Sequence, residues 1–436
     1  MRMSERVALA LVCAATLLAS AAVAAPTRPE PPLPEPLTAQ DVVDIARRRR
    51  GEILAARESA RAAWSGSRAE GKLPDPMLMT NLDHLPIPVM GADVSAMWQQ
   101  QIPLSGELGA RVRRAEAVAR ARDAEVKTTE LDVELAALQA FFMLAEEQAM
   151  KKVVSDQLAL AESIEKVVEA RLAGGAANPS DAVRAGLDRV RLDSELETFE
   201  SRLRAADAML DAALGRRPDA AIRTAALQVR DGAPAAPTAV ARTALADRPE
   251  LTVMRRRIRA AEEDVEVMRN MRAPMGVFGL GAAYTMADGP GLMATVGVSL
   301  PIWVDKYDSR IDEAKAMVSM ERAELSAMLL MVEGDAVAAR EQVEAAQVRE
   351  RSIRTKLLPQ ATATFETVLA SYASGQVPVV SVFESLSMLR MVQMEHVQSR
   401  TALAMRWAEL GRRLGKTDLG FVRGGPVRAK TGNGAP

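Results

Sequence analysis

The chain has 436 residues, of which 48% are hydrophobic but only 3% are aromatic. This composition favours closely packed helices and coiled coils over a thick globular core. The 56 basic and 57 acidic residues are interspersed and leave a formal net charge of −1, which indicates no nucleic-acid partner.

Residues 1–24 are predicted to form a secretory signal peptide. Basic residues precede an apolar stretch that ends in small residues, and cleavage after Ala24 fits this pattern. A lipoprotein signal at Cys13 is disfavoured because Val12, rather than a small residue, precedes it. The mature chain would then lack cysteine, and with it disulfides and thiol chemistry.

No later run of about 20 apolar residues predicts a transmembrane helix. The exported chain is therefore expected to be a soluble periplasmic protein or an outer-membrane barrel.

Three segments are predicted to lie outside the regular elements: a Pro-rich linker over 25–37, a mixed segment over 216–237 and a flexible tail over 416–436.

Two parts of the chain, 38–215 and 238–415, have the same predicted order of elements. Each contains a helix, two strands, a long helix, a breaker and a final helix. The breakers RLAGGAANPSD and SYASGQVPVVS place Gly175 and Gly375 at positions 200 residues apart. A repeat of this size indicates a duplication rather than a short-period solenoid.

The first helix of each repeat is predicted to be continuous, from a Thr38 cap to about Ser67 and over about 238–272. Asp41, three residues after Thr38, completes a capping pattern.

The long helices are predicted over 106–172 and 306–372, and the final helices over 180–214 and 379–414. Apolar residues in the long helices alternate spacings of three and four, which is typical of coiled coils. At 1.5 Å per residue, each long helix would extend about 100 Å.

Four strands are predicted, three of them from period-two alternation, whereas the segment at about 76–85 alternates poorly. Met97 and Met293 fall on the small, polar face, where they are expected to line a lumen and contact a passing ion. Alternation alone fits a half-buried soluble sheet equally well. Because four strands cannot close a barrel, membrane-spanning strands would require several chains to share one. The predicted strands are at about 76–85, 94–102, 277–285 and 292–300.

The sequence resembles the TolC family of outer-membrane efflux factors over essentially the whole mature chain. In each repeat of that family, a hairpin glycine is followed six positions later by an acidic or small residue and about forty positions later by Leu-Gly. The matching residues here are Gly175, Asp181 and Leu214-Gly215, then Gly375, Ser381 and Leu414-Gly415.

The resemblance implies a mainly α fold with a small β part. It implies a homotrimer in which duplicated coiled-coil hairpins form an α-helical tunnel and four strands per chain enter a shared 12-stranded barrel. The location would be the outer membrane of a Gram-negative bacterium, with contact to its lipid and extension into the periplasm. The implied partners are a periplasmic adaptor and an inner-membrane pump of the resistance-nodulation-division type.

The resemblance also implies that hairpin tips at 173–180 and 373–379 close the tunnel and meet the adaptor. The proline in the second tip is expected to start the returning helix, where its missing N–H is harmless. The tip residues are Gly175, Pro179, Gly375 and Pro378.

Family members close the tunnel with aspartates six and nine positions after the second hairpin glycine. Here these positions hold Ser381 and Glu384, and the first repeat holds Asp181 and Arg184. Three copies of Glu384 near a narrow axis would repel one another and favour cation entry. The alternative is that Glu384 is a solvated helix charge.

The motif LPDPML, at 73–78, is similar to the heavy-metal branch of the family, and the 23 methionines are compatible with Cu(I) or Ag(I). A duct for drugs or for type I protein secretion stays open as an alternative. A periplasmic coiled-coil adaptor is a more remote one, because the chain has two hairpins and lumen-type strands.

No catalytic residue, cofactor or metal site is predicted. The motif GRRLGKT has one residue too few between its glycines for a phosphate loop and follows a helix. Met388, Met391 and Met394 are interpreted as packing residues. His84 and His396 are the only histidines, too few for an ordinary zinc site without cysteine.

Overall fold

The structure is a computed structural model that describes residues 33–83, 93–175, 177–218, 221–227, 229 and 232–417. The predicted signal peptide, His84 and most of the predicted tail lie outside these residues. Within the described ranges, no helix is both long enough and apolar enough to cross a membrane.

The elements of the first repeat follow the predicted order of helix, strand, strand, long helix and final helix. They are α1 (Ala39–Arg49), α2 (Gly51–Ala69), β1 (Met77–Asp83), β2 (Asp93–Pro103), α3 (Glu107–Ala173) and α4 (Pro179–Ala213).

The elements of the second repeat have the same order. They are α5 (Pro237–Asp247), α6 (Pro249–Asn270), β3 (Met275–Thr285), β4 (Gly289–Ser299), α7 (Val304–Ser352), a π-helical turn (Ile353–Leu357), α8 (Leu358–Ala373) and α9 (Val379–Arg413).

The cap of the first helix is confirmed. The backbone N–H of Asp41 donates to Thr38 Oγ1 at 3.2 Å, and the backbone N–H of Thr38 donates to Asp41 Oδ2 at 3.1 Å. This reciprocal pair satisfies two backbone donors that a helix start leaves without partners.

The prediction of continuous first helices is wrong in both repeats. Arg50 separates α1 from α2 with ψ at 126°, and Arg248 separates α5 from α6 with ψ at 120°. At Arg248 the cause is local, because the ring of Pro249 disfavours helical backbone in the residue before it.

The long helix of the second repeat is interrupted by the π-helical turn at Ile353–Leu357, which the sequence pattern did not predict. Pro359 follows directly. Because proline has no N–H and its ring crowds the carbonyl four residues earlier, a wider turn at this point relieves the clash.

The four strands form one antiparallel sheet in the order β1-β2-β3-β4. The central pair joins the two repeats, with Val94 opposite Tyr284 and Met97 opposite Gly281. Strands β1 and β4 are the edges of this sheet.

The buried side chains form separate clusters along the helices. One cluster lies between α1, α3 and the ends of α4 and α9, where Phe141 and Phe142 pack edge to face with centroids 5.7 Å apart. A second cluster, which includes Phe199 and Phe365, packs the two hairpins against each other. The hairpins therefore share one core.

Candidate functional site

Both breakers are sharp reversals built on left-handed glycines. Gly175 has φ at 72° and Gly375 has φ at 78°. Their backbone N–H groups donate to the carbonyl oxygens of Leu172 at 3.0 Å and Tyr372 at 2.9 Å, which closes the ends of α3 and α8. Glycine suits this conformation because it has no Cβ to clash.

The prolines at the two tips occupy different positions. Pro179 is the first helical residue of α4, whereas Pro378 lies just before α9, which begins at Val379. The expectation that Pro378 itself starts the helix is therefore one residue off. Its backbone is extended, with φ at −74° and ψ at 159°.

This difference between the tips bears on two of the predicted gate positions, Asp181 and Ser381. The backbone N–H of Asn178 donates to the carboxylate of Asp181 at 3.4 Å. In the second tip the equivalent residue is Pro378, which has no N–H to donate, so an acid at Ser381 could not cap the helix this way. Asp181 thus has a structural role that Ser381 does not need.

Glu384 and Arg184, the other predicted gate residues, are both exposed on the helices that leave the tips. Among the described residues, neither has an ion-pair partner. Their roles at a gate stay predictions.

Arg171 joins the two tips, which the sequence analysis missed. Its Nη1 donates to the carbonyl oxygen of Tyr372 at 2.5 Å, and its guanidinium carbon lies 4.7 Å from the centre of the Tyr372 ring. Burial raises the pKa of the Tyr372 phenol, although Arg171 opposes the change. The sequence did contain a signal for this contact. The chain has only three tyrosines, and Tyr372 lies three residues before the hairpin glycine Gly375.

Two further contacts couple the hairpins away from the tips. Gln157 of α3 donates to Gln393 of α9 at 2.8 Å, and Arg390 of α9 lies 2.6 Å from Glu195 of α4. The two hairpins consequently form one unit at this end of the molecule.

The sheet has one strongly apolar face that no other part of the described residues covers. Leu292 is 93% exposed, Leu280 is 66% exposed and Trp98 is 44% exposed. Met97 and Met293 lie on the opposite face and are partly buried, in one row across the sheet with Gly281 between them.

No protein-family model and no curated protein matches this chain. Solved structures match at low sequence identity. CusC, studied for transmembrane channel formation, is 15% identical with a TM-score of 0.73 over 87% of this chain and 92% of its own. The outer membrane protein VceC of Vibrio cholerae is 16% identical with a TM-score of 0.71, over 87% of this chain and 96% of its own.

The open-state outer membrane channel MtrE of Neisseria gonorrhoeae is 13% identical with a TM-score of 0.72, over 87% of this chain and 89% of its own. This chain has the fold of outer-membrane channels. In this channel fold, α3 begins four residues after β2 ends and finishes two residues before Gly175. Its 67 residues separate the sheet from the tips by about 100 Å.

The methionine stripe on α9 is only partly a packing feature within the chain. Met394 packs against the shared hairpin core, but Met388 is 52% exposed and Met391 is 63% exposed. Met388 and Met391 point away from that core, so their interpretation as packing residues stays a prediction about contacts with another copy.

His396 lies beside this stripe, with Nε2 at 3.8 Å from Glu350 Oε1. Burial and the nearby Arg400 lower the pKa of His396 despite the Glu350 carboxylate. Over the described ranges, no group of three or more histidine, cysteine, aspartate or glutamate side chains is placed to hold a metal ion.

Proposed function

We propose that this chain is the outer-membrane exit duct of a tripartite efflux system. The observation that carries the proposal is the match to outer-membrane channel folds over 86% to 87% of the chain. The duct would perform no reaction; a pump in the inner membrane would drive cargo through it, and an adaptor would join the two.

The sheet supports placement in a membrane. Its exposed apolar face is suited to lipid, whereas in water it would be an aggregation hazard. The edges at β1 and β4 are unpaired in one chain, and unpaired backbone groups are costly in hydrocarbon. Pairing β1 of one copy with β4 of the next removes the edges, and three copies give the proposed twelve strands.

The exposed tips support contact with an adaptor. Gly175, Pro179, Gly375 and Pro378 are all exposed at the reversals and available to an adaptor.

For the cargo we propose heavy-metal cations. The support is the LPDPML segment and the methionines that the chain presents on its sheet. Thioethers favour soft ions such as Cu(I) and Ag(I).

The duct is tested by extraction of outer membranes in detergent. We expect heat-modifiable migration at the size of a trimer, because barrel strands shared between copies resist dissociation until they unfold. Recovery of the chain as a soluble periplasmic monomer would overturn the proposal and favour a scaffold or adaptor.

The cargo is tested by deleting the gene and measuring growth. Sensitivity to metal salts without sensitivity to hydrophobic drugs is expected. The reverse pattern would assign drugs to the duct, and a secretion defect alone would assign proteins.

Glu384 is proposed as the acidic constriction. Glu384→Ala should weaken the cation dependence of conductance in planar bilayers, because it removes one carboxylate per copy near the axis. Glu366→Ala, at an exposed position of α8, is the matched control. Equal responses of the two variants would make Glu384 a surface charge.

A further inference from the structure

Three methionines and a glycine form one row across the sheet. Met79 of β1 is opposite Met97 of β2, Met97 is opposite Gly281 of β3, and Gly281 is opposite Met293 of β4. Directly opposite residues in a sheet share a face, so the three thioethers are on the same side. This is the side away from the exposed apolar residues.

Glycines on β3 make the space that Met97 occupies. A Cβ added to Gly279 would lie 2.9 Å from Met97 Sδ, and a Cβ added to Gly281 would lie 2.8 Å from Met97 Cα. Real Cβ atoms do not approach so closely, so a larger residue at Gly279 would displace the methionine sulfur, and one at Gly281 would push the two strand backbones apart. The thioether of Met97 therefore lies over Gly279, towards β4.

A hydroxyl on β4 meets the sulfur there. Thr295 Oγ1 lies 3.3 Å from Met97 Sδ and donates to it. Thr295 and Met293 are two residues apart on one strand and consequently on one face. Gly279 and Thr295, which are opposite each other, hold the Met97 sulfur towards β4, one row along the strand from Met293.

Packing does not account for these methionines. Met79 is 41% exposed, and Met97 and Met293 are only partly buried. Apart from Val277, the large aliphatic and aromatic side chains of β2, β3 and β4 are on the other face, so there is no core here for a flexible filler to complete.

We propose that Met97 and Met293 form a binding site for soft monovalent cations, Cu(I) or Ag(I), on the lumen face of the sheet, with Met79 beside Met97 on the edge strand. The lumen placement rests on the proposed function; the row of methionines is a feature of the single chain. Thioethers are neutral ligands that select soft ions, and harder ions such as Mg²⁺ or Ca²⁺ prefer oxygen. Uncharged sulfurs bind weakly enough to release an ion along a conduction path.

The test is Ag(I) titration of the purified full chain in chloride-free buffer by calorimetry. The site variant is Met97→Leu/Met293→Leu, since leucine and methionine are similar in volume. The control is Met388→Leu/Met391→Leu, which removes two exposed thioethers from α9. We expect the site variant to lose at least about tenfold in affinity, the scale of damage to a metal site, and the control to bind like the unmodified protein.

Two results would overturn the site: unchanged binding by the site variant, or equal loss in both double variants, which would indicate adventitious thioethers. X-ray absorption of the unmodified protein loaded with Ag(I) gives a readout that needs no variant to fold. A sulfur first shell is expected, and a shell of oxygen or nitrogen alone would exclude these ligands.

Binding and export fail separately in this design. If the protein is a trimer in the outer membrane but its site variant binds Ag(I) normally, the proposed duct stands and the proposed site is overturned. If the protein is a soluble monomer that binds Ag(I) through these sulfurs, the proposed duct is overturned and the proposed site stands.

Discussion

Gly175 and its neighbour Gly174 show how one backbone angle determines the place of a hairpin tip. Gly174 has φ at −81°, which any residue can adopt, whereas Gly175 has φ at 72°. No atom lies within 4 Å of a Cβ added at Gly175, so space is not the constraint. The constraint is the left-handed backbone itself.

Gly175→Ala should therefore destabilise the first tip by about 1 kcal/mol, the cost of left-handed backbone for a residue with a Cβ. Gly174→Ala is the matched control and should be neutral or slightly stabilising, because alanine fits its backbone. Hydrogen exchange of the amides in 171–182 measures the difference. Equal exchange rates in the two variants would contradict the explanation.

At the scale of elements, the contact between β2 and β3 depends on missing side chains. Gly281 has an ordinary negative φ, but a Cβ there would lie 2.8 Å from Met97 Cα. The two strands that join the repeats can approach closely only because this position has no side chain.

Gly281→Ala should lower the free energy of unfolding by about 2 kcal/mol, a typical cost of overpacking. Gly291→Ala on β4 is the control, since no atom lies within 4 Å of its added Cβ. This substitution should change the free energy of unfolding by less than about 0.5 kcal/mol. Urea unfolding in detergent micelles checks both. A Gly281→Ala variant as stable as the control would show that the strands can separate without cost.

At the scale of the whole molecule, Arg412 ties three distant segments together. Its Nε lies 2.7 Å from Asp132 Oδ1 of α3, and its Nη2 lies 2.7 Å from Glu250 Oε1 of α6. Burial opposes its charge, but the two carboxylates raise the pKa of Arg412. Burial likewise favours neutral Glu250, but Arg412 lowers the pKa of Glu250 overall.

Arg412→Gln should lower the free energy of unfolding by about 3 kcal/mol, since it leaves the Glu250 carboxylate without its main partner. A lowered carboxyl pKa contributes stability above the ordinary value of 4.5 and loses it as the pH falls through the folded value. The difference in free energy of unfolding between the Arg412→Gln variant and the unmodified protein should therefore become smaller in acid.

Arg413→Gln provides the control for this prediction. Arg413 is the next residue and makes a more exposed bridge to Asp335 at 3.1 Å, so its loss should cost less than about 1 kcal/mol. Urea unfolding at neutral pH and below pH 4.5 measures both variants. If the loss of unfolding free energy caused by Arg412→Gln is the same at both pH values, the role of Glu250 is contradicted.

Several features could be predicted because their causes are local. The helix at Glu107–Ala173 lies within one residue of its predicted bounds, since the coiled-coil spacing and Gly175 both operate over a few residues. The Thr38 cap is predictable for the same reason. The break at Arg248 was visible in Pro249 and was missed, because the helical pattern continues on both sides.

The sequence alone determined the duplicated order of elements, the tips at Gly175 and Gly375 and the two faces of three of the four strands, because these depend on spacing and on backbone freedom. Only the tertiary structure decided which residues meet: Arg171 with Tyr372 across 201 positions, and Met79, Met97 and Met293 in one row. Such pairs depend on strand register and on how helices pack, and both are set by contacts between segments far apart in the chain.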